Sequence, residues 1–239
     1  MKNRIVFLIC VLIFTINSAS AQRKEKVHYL PTYDKDLLHW GFYLGLNQKS
    51  FKLNYTLANA NTTISIKDET GFNIGLIGDV RINNYLNLRL EPGLSHNVKT
   101  LFYANNSNAT LFSTAKDSVR NVSGSYLHVP LLLKFKAKRM NNVRPYLLAG
   151  ISYDFNITSN QSSTKDNLQR VFRLKKSNFM YEVGFGVDVY LFYFKFSPSI
   201  RGIFALNNEL VRDADPNSRW TAPINYLGTR GVFLNFAFE

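Results

Sequence analysis

The chain has 239 residues, 46% of them hydrophobic and 14% aromatic, with a formal net charge of +13 and a single cysteine. Such a length admits one β domain or two small ones, and no Pro- or Ser-rich linker divides it. Cys10 falls inside an N-terminal leader, so the remainder has no thiol, which excludes a disulfide, a Cys-ligated metal and a Cys nucleophile.

The leader is read as an export signal over residues 1–21. Lys2 and Arg4 precede an apolar run at 5–16, and Ala19-Ser20-Ala21 has the small-x-small form of a cleavage site. The run is shorter than the roughly 20 residues a membrane helix needs, and bulky Ile9 before Cys10 argues against a lipid anchor. Without Lys2 and Arg4 the 29 Lys and Arg become 27 against 16 Asp and Glu, a surplus of 11. A basic surplus is compatible with nucleic acid, but the leader and the scatter of the charges over loops and turns point instead to solvation or to anionic lipid headgroups.

Residues 22–38 are expected to form a periplasmic N-terminal segment and 39–239 a β domain. Strand one starts at Trp40, with Trp40, Phe42, Leu44 and Leu46 on one face and Gly41, Tyr43, Gly45 and Asn47 on the other. Phe51, Leu53 and Tyr55 have the opposite parity, which predicts a bulge or turn near Gln48. Strand two covers 72–82, and Asn83-Asn84 turns the chain into strand three, where Leu86, Leu88, Leu90 and Leu94 oppose Asn87, Arg89, Glu91, Gly93 and Ser95. Strand four sets Leu127, Val129, Leu131, Leu133 and Phe135 against Tyr126, His128 and Lys134. Strands five at 146–156, six at 179–189, seven at 192–201 and eight at 232–238 repeat the alternation.

Breaks near Asn83, at 138–142 and at 190–192 are short, whereas 56–70, 104–124, 157–176 and 207–228 are long. Even strand number with alternating long and short connections predicts an eight-stranded antiparallel transmembrane β-barrel, with termini in the periplasm and long loops outside. A soluble barrel or sandwich is the rival, because alternation does not say which face points inward. Glycines decide against it. Gly41, Gly45, Gly75, Gly93, Gly150, Gly184 and Gly186 share the polar face with the charges, where a narrow lumen needs room. Aromatic residues near the strand ends of the apolar face suit interfacial girdles.

Eight strands enclose an interior just wide enough for side chains, so a diffusion pore is excluded. Asp79, Arg81, Arg89, Glu91, Lys134, Asp154, Glu182, Asp188, Lys195 and Arg201 are expected to pack there as a structural polar network. Facing lipid instead, each Lys or Arg would cost about 2 to 4 kcal/mol at midplane. Pro92, Pro130, Pro145 and Pro198 fall in or beside strands, predicting bulges or strand starts. His28, His39, His96 and His128 have no metal-ligand spacing, and no Gly-x-Ser-x-Gly or phosphate loop occurs, so no enzyme activity, metal or cofactor is expected. Asp213-Ala214-Asp215-Pro216-Asn217 loosely resembles an acidic calcium loop but lacks its glycine and distal glutamate, and an ordinary polar loop is favoured.

Several segments resemble the PorT family of small outer-membrane barrels: Tyr126-Leu127-His128-Val129-Pro130-Leu131-Leu132-Leu133-Lys134-Phe135, then Arg144-Pro145-Tyr146-Leu147-Leu148-Ala149-Gly150, then Gly184-Phe185-Gly186-Val187-Asp188. Leu30-Pro31-Thr32-Tyr33-Asp34 and Leu38-His39-Trp40-Gly41-Phe42 are similar to the leading segment of PorT and SprT proteins. The resemblance implies an outer-membrane accessory or scaffold component of type IX protein secretion and gliding motility, with other secretion-machinery proteins as partners. Tyr29, Leu30, Pro31, Tyr33 and Asp34 are then candidate partner contacts, against the plainer alternative that they tether the chain to the barrel rim. Membrane lipid and lipopolysaccharide are expected around the wall, and neither nucleic acid nor a small-molecule substrate is expected. A generic surface barrel, binding lipid or adhering through its outer loops, is the alternative function.

Overall fold

The structure, a computed structural model, describes residues 27–55, 62–105 and 117–239. The expected leader at 1–21 lies outside the described residues, as do parts of the loops placed at 56–70 and 104–124. Ten strands form one antiparallel sheet: β1 (Leu38–Tyr55), β2 (Thr62–Asp68), β3 (Thr70–Arg81), β4 (Leu86–Leu90), β5 (Gly93–Asn105), β6 (Val119–Lys136), β7 (Val143–Asn156), β8 (Ser177–Tyr190), β9 (Lys195–Ala205) and β10 (Ile224–Phe238). β1 pairs with both β10 and β3, which closes the sheet into a ring. Only Glu69 separates β2 from β3, and only Glu91 and Pro92 separate β4 from β5. Counted by position around the ring, these two broken pairs occupy one place each.

The alternation has the inside-out sense. Outward residues form an apolar band that includes Trp40 (71% exposed), Phe42, Leu44, Leu76, Leu147 and Phe185. Inward, Arg89, Lys134 and Arg201 are 1% exposed or less, as are Asp79 and Asp154. A protein in water does not bury its cations and expose its leucines over a whole wall; hydrocarbon on the outside removes the penalty on the leucines and makes the interior the cheaper place for the charges.

At one end of the barrel, the turn end, connections are tight. The Asn83 side chain accepts from the backbone N–H groups of Tyr85 and Leu86, both at 2.8 Å. Between β6 and β7, Met140 bridges to Val143 while Asn141 takes a positive φ of 56°, a conformation asparagine tolerates better than most residues. Towards the loop end the strands run on well past a membrane's needs. β1 and β6 have 18 residues each, where about 9 to 11 suffice to cross.

Two expectations are corrected here. β1 keeps one register against β10 from Phe42 to Asn54, so no bulge or turn lies near Gln48. The parity changes because the surroundings change: beyond Asn47 the inward positions become Lys49 and Phe51 and the outward ones Lys52 and Asn54. From Phe51 on, apolar side chains point in and polar ones out, as in a water-soluble barrel. The loops are likewise shorter than expected, since β2, β5, β6 and β10 extend into residues read as loop. Ser65 and Lys67 point outward there while Ile64 points in, a phase that a search for outward leucines passes over.

The prolines are absorbed with fewer irregularities than expected. Leu90 pairs with Leu131 and Gly93 with His128, so the register across Glu91-Pro92 and Pro130 is continuous. Glu91 N–H donates to the Pro130 carbonyl at 3.2 Å, and the return bond is the one proline lacks. Tyr43 Oη replaces it, donating to the Glu91 carbonyl from inside the lumen at 3.4 Å. Pro145 and Pro198 also sit in unshifted register, opposite Val187 and Phe236. Glycine at Gly75 and Gly93 makes the Tyr43 position available. A Cβ on Gly75 would lie 2.6 Å from the Tyr43 ring, and one on Gly93 only 2.2 Å from its hydroxyl.

Candidate functional site: a filled lumen with a latched mouth

The lumen is occupied from end to end by side chains. Nearest the turn end, Arg89 bridges Asp79 at 2.8 Å, Glu91 at 3.2 Å and Glu239. Lys195 holds the other Glu239 oxygen at 2.9 Å, and Lys134 reaches Asp188 at 2.7 Å while lying over the Tyr146 ring. At mid-height Arg201 joins Glu91 at 2.7 Å to Glu182 at 3.4 Å. His128 stands between Glu182, 3.0 Å from Nε2, and Asp154 on Nδ1. Lys49 continues to Asp154 at 3.2 Å and packs on the faces of Tyr126 and Phe233. Each charge is desolvated but paired, the condition under which a buried ion is tolerable.

Nine of the ten residues expected in the network are therefore found buried in the lumen: Asp79, Arg89, Glu91, Lys134, Asp154, Glu182, Asp188, Lys195 and Arg201. Arg81 lies elsewhere. At the strand end, its guanidinium donates to the carbonyls of Asp34 and Lys35 at 2.8 Å each and to Asn84 Oδ1 at 3.0 Å. Three partners in these ion pairs lie outside the expected ten: Lys49, His128 and Glu239. Lys49 falls where a bulge is expected, His128 shares the polar face of its strand but carries no fixed charge in the sequence, and Glu239 trails an aromatic strand.

Above the charges the filling changes character. Phe51, Ile64, Leu101, Tyr103, Val122, Ile224 and Leu227 from the strands meet Phe172, Leu174, Leu210 and Trp220 from the long connections in one apolar cluster. Beneath it Lys99 lies over the Phe51 ring at 3.8 Å. Burial pushes the Glu209 carboxyl up, opposed by Lys99 and by the Thr229 bonds to Glu209 at 2.8 Å. Over the cluster, Asp213 accepts from Asn167 Nδ2 at 3.0 Å, from Thr221 at 3.2 Å and from Ser218. The acidic loop is thus spent on holding loop to loop. Among the described residues no group of three or more His, Asp or Glu side chains is arranged to hold a metal.

At the turn end the segment 27–37 folds across the barrel mouth as a strap. Asp34 is its clamp, accepting from Tyr190 Oη at 2.7 Å and pairing with Arg144 at 3.0 Å and Arg139 at 3.4 Å. Burial pushes this carboxyl up, but the Tyr190 hydrogen bond and the charges of Arg144, Lys136 and Arg139 outweigh it and hold the group below its ordinary value. Tyr33 enters the mouth, stacked on His39 with centroids 4.1 Å apart and with Lys195 over its ring at 4.7 Å. Tyr29 N–H donates to Asn142 Oδ1 at 2.9 Å, and Arg139 donates to the carbonyls of Tyr29 and Leu30. Of the five candidate partner contacts, Tyr29, Leu30, Tyr33 and Asp34 are tied to the rim, and Pro31 is exposed.

Among solved structures the chain is similar to the outer membrane protein OprG from Pseudomonas aeruginosa, at 13% identity and a TM-score of 0.46 over 84% of this chain and 93% of that one. It is also similar to neisserial surface protein A, at 14% identity and 0.41 over 82% and 95%. The attachment invasion locus protein Ail of Yersinia pestis, in complex with the heparin analogue sucrose octasulfate, gives 12% and 0.39 over 85% and 97%. No curated protein matches the chain. The model of the outer membrane protein beta-barrel domain matches residues 20–211. With that match over most of its length, and with a closed ring greasy outside and ionic within, the chain belongs to the outer membrane protein β-barrel domain family.

Proposed function

We propose that this barrel is a non-enzymatic accessory or scaffold component of type IX protein secretion and gliding motility. The leader at 1–21 delivers it for export, and the turn end with both termini faces the periplasm. The observation that carries the reading is the strap. Its segment Leu30-Pro31-Thr32-Tyr33-Asp34, where the resemblance to PorT and SprT proteins is narrowest, is fixed across the mouth by Asp34 and leaves Pro31 and Leu37 outward. A lumen packed with ion pairs gives cargo no passage, which favours a scaffold over a conduit. Secretion proteins meet the turn end, lipid and lipopolysaccharide surround the wall, and no cofactor, nucleic acid or small-molecule substrate is assigned. Deleting the gene is expected to abolish secretion of proteins with C-terminal secretion signals and surface spreading; normal secretion by the deletion strain would refute the role.

A second reading, a surface barrel that adheres or binds lipid through its loop end, is favoured by the polar-faced wall that rises beyond the apolar band. It predicts that shortening the loops at 157–176 and 206–223 removes function while changes at 27–37 are tolerated. The two readings give opposite outcomes in that pair of strains.

A further inference from the structure

On the outer wall, one groove lies where the apolar band ends. The row formed by Val183, Gly202, Val232 and Gln48 still carries two valines. The next row towards the loop end is Tyr181, Phe204, Arg230 and Ser50, and beyond it Lys52 pairs with Gly228. Arg230 thus stands one outward step, roughly 7 Å, above the last aliphatic residue of its strand. This is the level of a lipid headgroup.

The groove at this level has a volume of about 450 Å³. Its floor is the Tyr226 ring, which lies over Gly228 so closely that a Cβ there would be 2.4 Å from the phenol oxygen, and whose hydroxyl donates to the Ala205 carbonyl at 3.2 Å. One side is the stacked pair Tyr181 and Phe204, with centroids 5.0 Å apart. The other side is Lys52 and Arg230, both exposed and diagonal neighbours across β1 and β10. Neither cation takes part in an ion pair among the described residues, although nearly every lumen cation does. Two like charges at diagonal cross-strand positions, roughly 7 to 8 Å apart, lie within a Debye length and repel. An anion held between them removes that repulsion, and the aromatic faces beside them suit the apolar face of a sugar ring.

We propose that Lys52, Arg230, Tyr226 and the Tyr181–Phe204 pair form a binding site for the phosphate of a phosphorylated glycolipid headgroup of the lipid A type. The choice of glycolipid over glycerophospholipid rests on the orientation given above, which puts the loop end in the outer leaflet. The binding chemistry itself is independent of the secretion role.

The test uses the full-length mature barrel purified in a zwitterionic detergent, with native mass spectrometry counting bound lipid during titration with diphosphorylated lipid A, its dephosphorylated form, or phosphatidylglycerol. One tightly held diphosphorylated molecule is expected, with the dephosphorylated form and phosphatidylglycerol both weaker. The double variant Lys52→Gln/Arg230→Gln should weaken binding about 30-fold, as two basic groups acting on one anionic headgroup imply. Arg230→Lys should bind nearly as the parent does, and Lys35→Gln/Lys138→Gln, which removes exposed cations at the turn end, should leave binding unchanged. The heat-modifiable gel shift of folded barrels verifies that each variant is folded. Unchanged affinity in the folded double variant, or equal affinity for phosphatidylglycerol, overturns the site. Because the titration involves no secretion assay, its failure is distinct from normal secretion in the deletion strain.

Discussion

Arg201 reaches two carboxylates, Glu91 and Glu182, on opposite sides of its guanidinium. Truncating it leaves buried Glu91 with Arg89 alone and buried Glu182 with His128 alone. Arg201→Ala is therefore expected to destabilise the barrel by about 3 to 5 kcal/mol, the usual cost of breaking a buried pair from one side, measured by urea unfolding in lipid vesicles. Asp34 behaves differently because it sits at the rim. Its carboxyl is held below the ordinary value in the docked strap, so the strap is fully stabilised above about pH 4 and loses that contribution as pH falls through the lowered value. Asp34→Asn should release the strap already at neutral pH, with proteolysis at 27–37 rising to the level the parent shows only in acid; equal protection in parent and variant at pH 7 would argue against the clamp. The single residues that the sequence leaves out of the network share one cause. Lys49, His128 and Glu239 are recognisable only by their partners Asp154, Glu182, Arg89 and Lys195, which lie on other strands and are brought opposite by ring closure.

At the scale of elements, β1 shows how far alternation can be read and where it misleads. The period of two was legible throughout, but the sign of the face depends on the solvent outside, which changes along the strand. Up to Leu46 the outward residues meet hydrocarbon; at Phe51 the inward one joins a loop-capped apolar core. Unequal losses follow for two substitutions five residues apart. Phe51→Ala is expected to cost about 3 to 5 kcal/mol as a core truncation. Leu46→Ala removes a lipid-facing contact and should cost about 1 kcal/mol or less, so the ratio of the two losses in unfolding experiments reports where the membrane stops. The broken places were partly legible too. Proline marked Glu91-Pro92 as a break, yet Pro130 passes without a bulge because Tyr43 supplies the missing donor to the same carbonyl, a remedy from a strand distant in sequence.

For the whole molecule, the lumen is closed three times: by the strap at the turn end, by the ion-pair column at mid-height and by the apolar cluster below the loops. Reconstituted in a planar bilayer, the barrel is expected to show no stable conductance steps. Deleting 27–37 should leave it silent as well, since two closures remain; open-channel steps in that variant would locate the seal in the strap alone. The outer-membrane class and the polar lumen were readable from parity and glycine placement. The strap's docking was not, because Asp34 meets Arg139, Arg144 and Tyr190 from more than a hundred residues away.

With the loop end facing outward, as proposed above, the long strands that rise past the apolar band decide what an approaching molecule meets. Among the described residues, what projects there is largely laddered wall, stiffened from within by Phe51, Leu101 and Trp220. A ligand, phage or antibody arriving there encounters a surface whose features belong to several strands together, so recognition depends on intact tertiary shape and short linear peptides make poor mimics of it.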